Sequence, residues 1–101
     1  MKEEPKISEL SPHLFWDCDQ SKITWEQNSH FLVSRILDYG LMNDWLLLKK
    51  AYGIKGIGQI ATEVRYLEDK SLHFISFIAE IPLEKFRCYI LKQYIPHYSG
   101  Y

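Results

Sequence analysis

A chain of 101 residues, 47 % hydrophobic and carrying three Trp, seven Tyr and five Phe, favours one domain whose aromatic side chains supply a core without disulfides or metal. No apolar run reaches the roughly 20 residues of a membrane span, and the opening MKEEPKISEL has no basic stretch followed by an apolar one, which argues against a secretory leader and for a reducing cytoplasm in which Cys18 and Cys88 are buried free thiols. A formal net charge of −1 excludes a global basic field for nucleic acid.

Residues 1–9 are polar and aperiodic and read as a flexible N-terminal arm, leaving 10–101 as a single helical domain. Ser11 followed by Pro12 is a helix start, because Ser caps and Pro at the first helical position loses no needed N–H. The turn His13-Leu14-Phe15-Trp16 is too short to stand alone and must dock on the rest of the chain. Thr24 and Gln27 have capping-box spacing ahead of an inward stripe of Trp25, Ser29, Leu32, Val33, Ile36 and Leu37, and Gly40 supplies a left-handed stop. Asn43 or Asp44 caps a second helix with Trp45, Leu48 and Tyr52 inward, stopped the same way at Gly53. A third runs from about Ile54 to Arg65, with Ile54, Ile57, Ile60, Ala61 and Val64 inward. Asp69 caps a fourth, whose buried stripe is Phe74, Phe77, Ile78 and Ile81. Pro82 opens a fifth, with Phe86, Tyr89 and Ile90 inward, before an aromatic tail from Tyr94 to Tyr101. No segment alternates with period two. The expected fold is therefore all-α, a compact bundle of four to five short helices, with the third and fourth in helix-turn-helix outline.

Most chemistry is missing from this pattern. Asp17, Asp19 and Ser21 follow the opening spacing of a calcium loop, but Lys22 and Asn28 stand where the loop needs Gly and a bidentate Glu, so they read as a turn and a cap. His13, His30, His73 and His97 lack metal-ligand spacing, and neither cysteine has a near partner, so no metal is expected. The glycines of Gly53-Ile54-Lys55-Gly56-Ile57-Gly58 are in the wrong order for a phosphate loop, and no strand precedes them. Gly56 and Gly58 inside a helix each cost roughly 1 kcal/mol relative to Ala. Close packing against another helix offsets that better than an anion bound beside Lys55. With no nucleophile motif and no converging acids or imidazoles, neither catalysis nor a cofactor is expected.

Six stretches resemble one known group of proteins. They are SELSPHLFWDCD at 8–19, ITWE at 23–26, DYG at 38–40, NDW at 43–45, AYG at 51–53 and IPLEKFRCY at 81–89. Together they resemble a family of short bacterial proteins of unknown function, often encoded beside nucleotidyltransferase-type toxins of abortive-infection systems. The resemblance implies a compact helical protein that acts as an antitoxin or accessory partner. Gly56 and Gly58 depart from it, since the family pattern has helix-favouring charged residues there.

Two binding roles follow. In the first, a non-catalytic interaction protein of a bacterial toxin–antitoxin or defence module meets a protein partner through Lys85, Arg87 and Lys92 of the last helix and Tyr94, Tyr98 and Tyr101 of the tail, because tyrosine joins apolar area to a hydrogen-bonding tip. In the second, a helix-turn-helix transcriptional regulator reads DNA with Lys70, His73 and Ser76 on the outer stripe of the fourth helix, aided by Lys55 and Arg65 and opposed by Glu80. An acidic beginning (two lysines against five acids in residues 1–20) and a basic end also suit head-to-tail pairing of copies.

Overall fold

Thr24 starts a turn and not a helix. In the computed structural model, which describes residues 5–94, the Gln27 N–H donates to Thr24 Oγ1 at 3.1 Å, but the return bond runs from the Thr24 N–H to Asn28 Oδ1 at 3.0 Å. The cap closes one residue late, and α1 spans Ser29–Tyr39. Its inward residues Leu32, Val33 and Ile36 are the expected ones. Gly40 ends it in extended backbone, φ −72° and ψ 154°, and not in the left-handed stop expected of it. Space explains the glycine instead: a Cβ there would lie 2.6 Å from the Ile36 carbonyl oxygen.

The second and third expected helices form one bent element, α2, Met42–Glu63. Gly53 interrupts it at φ 76° and ψ 162°, a conformation open to Gly and strained for other residues. Past the bend, a Cβ at Gly58 would fall 2.6 Å from Ala79 Cβ and 2.9 Å from Ile81 Cδ1, so this glycine allows close helix packing. Gly56 meets only Tyr52 Cβ, at 3.3 Å.

α3 covers Asp69–Ala79. Its N-cap is Glu68, and Asp69, expected to cap, instead pairs with Lys92 at 2.8 Å. The helix also presents a different face from the expected one. Ser71, Leu72 and Ile75 are buried, while Phe74 and Phe77 are exposed. Two stripes of helical period overlap in this segment, and the small Ser71 decides between them. Its hydroxyl donates to Leu37 O at 2.8 Å, which ties α3 to the end of α1. α3 ends at Glu80 in the left-handed region, φ 56° and ψ 43°, with the Ile81 N–H reaching Ser76 O.

A 3-10 turn at Leu83–Lys85 leads to α4, Arg87–Tyr94. α2 is the centre of the fold and packs against α1, α3 and α4. Leu14, Phe15, Trp25, Leu48, Ile57, Leu67 and Phe86 complete the interior. Residues 5–9, expected to belong to a free arm, are docked: Pro5 is buried, its carbonyl accepts from Trp25 Nε1 at 2.6 Å, and Ile7–Glu9 form a 3-10 turn. Among the described residues there are four α-helices and no strand, and no helix is long and apolar enough to cross a membrane.

Candidate interaction surface

The surface starts from a carboxylate turned inward. Asp44, in the first turn of α2, is 0 % exposed. It accepts from the Leu41 N–H at 2.9 Å and from both the N–H and the hydroxyl of Ser11, each at 2.8 Å. Leu48, one turn on, is also fully buried. With 44 and 48 facing in, the 100° step of a helix sends 42, 46, 49 and 50 out.

Met42 is accordingly 71 % exposed, and Leu46 stands beside it in water. Trp45, on the flank, stacks edge-on against Phe74 of α3 with centroids 5.3 Å apart. Phe77, one turn beyond Phe74, is 84 % exposed. These five side chains make an apolar face across α2 and α3. At its other end Tyr39 and Leu41 are exposed as well, and Trp16 stacks edge-on against Tyr39 at 5.3 Å. The charge beside its α2 half is basic. Lys49 and Lys50 enter no ion pair among the described residues, and Lys70 finds its nearest acid, Glu68, only at 3.8 Å. Asp44, the acid of this part of α2, is consumed inside, while on α3 the exposed Glu80 stands one turn past Phe77.

The SPHLFWD stretch packs on α1. Leu14 and Phe15 are buried. Arg35 donates to Leu14 O at 3.0 Å and to both Asp17 oxygens at 3.1 and 2.8 Å, while its guanidinium lies 3.9 Å from the Trp16 ring centroid and 4.4 Å from that of Phe31. The hydrogen bonds from Arg35 hold the Asp17 carboxyl below the usual aspartate range. Asp19 is occupied too, capping the next turn by accepting from the N–H and hydroxyl of Ser21.

Of the side chains expected to bind a partner at the C-terminus, three are described. Lys92 is a strut: Nζ donates to Leu67 O at 2.6 Å and to Asp69 Oδ1 at 2.8 Å, and sits 4.8 Å from the Tyr66 ring centroid. Arg87 lines a cleft with Arg65, and Lys85 is exposed on the preceding turn. The Tyr94 side chain, Tyr98 and Tyr101 lie outside the described residues. Of the DNA set, Lys70 and His73 are exposed along α3 and Lys55 is exposed on α2. Ser76 is not available: it is half-buried, and its hydroxyl donates to Ile81 O at 2.6 Å to close the helix end. Cys18, expected inside, is exposed; Cys88 is buried, and that burial pushes its thiol up.

The model of a family of unknown function, DUF6922, matches residues 10–61, just over half of the chain. The chain belongs to DUF6922. No curated protein and no solved structure matches it. The DUF6922 segment holds both members of the Ser11/Asp44 and Asp17/Arg35 ties and the Gly53 bend, together with Met42 and Leu46. Phe74 and Phe77, which complete the apolar face, lie beyond it.

Proposed function

We propose that this chain is a non-catalytic interaction protein whose face of Met42, Trp45, Leu46, Phe74 and Phe77 receives an acidic, amphipathic segment of a partner protein. The observation that carries the reading is the exposure of Met42 and Phe77, 71 % and 84 %, on the two helices that the Trp45–Phe74 contact joins, with Leu46 and Phe74 exposed as well. Contiguous apolar surface of this kind is uncommon on a monomer and marks sites of association. Burying one such side chain is worth about 1.5–3 kcal/mol. The basic border selects the partner's chemistry: carboxylates flanking an apolar stripe would meet Lys49, Lys50 and Lys70 and quicken encounter. The resemblance to proteins encoded beside nucleotidyltransferase-type toxins supports an antitoxin-like or accessory role and names the first partner to try.

The test is co-expression with the product of the adjacent gene, followed by size-exclusion chromatography with light scattering. A stable complex is expected with the native chain, and loss of it with Phe77→Glu or Leu46→Glu, both of which should keep the native melting temperature. Absence of a complex, or a complex indifferent to both changes, would refute the reading. Repression of a promoter is the second reading. Lys70 and His73 one turn apart on exposed α3 favour it, but Phe74 and Phe77 occupy the positions where base or phosphate contacts would be needed.

A further inference from the structure

The cleft shared by α1, the end of α2 and the start of α4 has a volume of about 770 Å³, within the roughly 300–1,000 Å³ of small-molecule sites. Most of its polar side chains are already satisfied. Ser34 donates to Phe31 O at 3.0 Å and Thr62 to Gln59 O at 2.6 Å. Glu63, the acid of the cleft, is held by His30 Nε2 at 2.8 Å. Three donors are left over: the guanidiniums of Arg65 and Arg87 and the hydroxyl of Tyr66. None of them enters a hydrogen bond or ion pair among the described residues. The Tyr66 ring is braced by Lys92 Nζ.

We infer that this cleft is a binding site for a phosphoryl group, carried by a free nucleotide or by the 5′ end of a nucleic-acid strand. Two arginines lining one space, with the Glu63 carboxylate turned to His30, select an anion. A carboxylate has two oxygens and is satisfied by one bidentate Arg. A terminal phosphoryl group has three oxygens and up to two charges, which matches two forks and one hydroxyl. The exposed ring of Tyr66 beside them gives a base or ribose a surface to lie against.

The test is an NMR titration of the full chain with inorganic phosphate, with adenosine 5′-monophosphate and with a short oligonucleotide bearing either a 5′-phosphate or a 5′-hydroxyl, using acetate as the control anion. Saturable shifts at Arg65, Tyr66 and Arg87 are expected with phosphate and the nucleotide by about 10 mM, and not with acetate. Arg65→Gln and Arg87→Gln should each weaken binding at least about tenfold, while Arg→Lys at either position keeps part of it, because Lys retains the charge and loses the fork. Neither arginine holds another described side chain, so the variants' melting temperatures should match the native one. Tighter binding of the 5′-phosphorylated strand than of the mononucleotide assigns the site to strand ends; equal affinity assigns it to free nucleotides. Absence of saturation, equal response to acetate, or unchanged affinity in both Gln variants would overturn the inference.

Discussion

Asp44 takes both hydrogen bonds that Ser11 offers, each at 2.8 Å, and is wholly buried in doing so. This contact joins the first 3-10 turns to the start of α2 and fixes which side of α2 meets water. Asp44→Ala would leave the Ser11 and Leu41 N–H groups without their acceptor, at a cost of about 2–4 kcal/mol. Ser11→Ala should cost about 1 kcal/mol. Urea titrations of both variants and of the double variant check this. The double variant should be less destabilised than the sum, since both changes remove the one bond from the Ser11 hydroxyl.

Gly58 and Gly56 should respond differently to alanine. At Gly58 the added methyl meets Ala79 Cβ at 2.6 Å, so overpacking of about 1–3 kcal/mol outweighs the roughly 1 kcal/mol gained in helix propensity. At Gly56 the contact is Tyr52 Cβ at 3.3 Å, and the net change should stay within about 0.5 kcal/mol of zero. Thermal melts of the two variants distinguish the cases.

Glu80 sits at a position suited to glycine, φ 56° after the last turn of α3. Glu80→Gly should stabilise the chain by about 1 kcal/mol by relieving the left-handed strain, raising the melting temperature by roughly 4–8 °C. An unchanged or lower melting temperature would mean that the carboxylate compensates for the strain.

Asp38 and Asp17 should move stability in opposite directions with pH. Burial raises the Asp38 carboxyl above its usual range, and the nearby Ser71 hydroxyl and the bond from the Glu68 N–H only partly counter this. Its folded form holds the proton more tightly than the unfolded one. Stability is therefore lost as pH rises from the ordinary aspartate value of about 3.9 through the folded value. Asp38→Asn keeps an acceptor for the Glu68 N–H and should melt higher than the native chain at neutral pH, the difference closing as pH falls below about 4. The Asp17 and Asp69 carboxyls are lowered, by hydrogen bonds from Arg35 and Lys92 respectively. Their contribution is present at neutral pH and fades as pH falls through the folded values, so Asp17→Asn should flatten the acid limb of the melting curve.

The all-α fold was legible because Leu32, Val33 and Ile36, and again Ile57 and Ala61, recur at helical spacing with few competing patterns. The orientation of α3 was not. Residues 71–81 carry two apolar stripes, and the choice depended on a hydroxyl bond from Ser71 to Leu37 O that no local pattern shows. Asp44 reads as a cap, and it does accept the Leu41 N–H at the start of α2, but its burial depends on Ser11, far back in the chain, which no local pattern shows. The run Trp45-Leu46-Leu47-Leu48 did hold a usable signal, since a helix cannot bury four successive apolar side chains on one side. The cleft of Arg65 and Arg87 gave none, because its members come from separate elements.

The interaction face rests on Phe77 above all, and a calorimetric titration of the purified partner against the native chain and Phe77→Ala tests it most directly. A side chain central to the contact should be worth about 2 kcal/mol. The dissociation constant is expected to rise about thirtyfold, with the melting temperature of the free variant unchanged. A dissociation constant that moves less than about twofold would contradict the account.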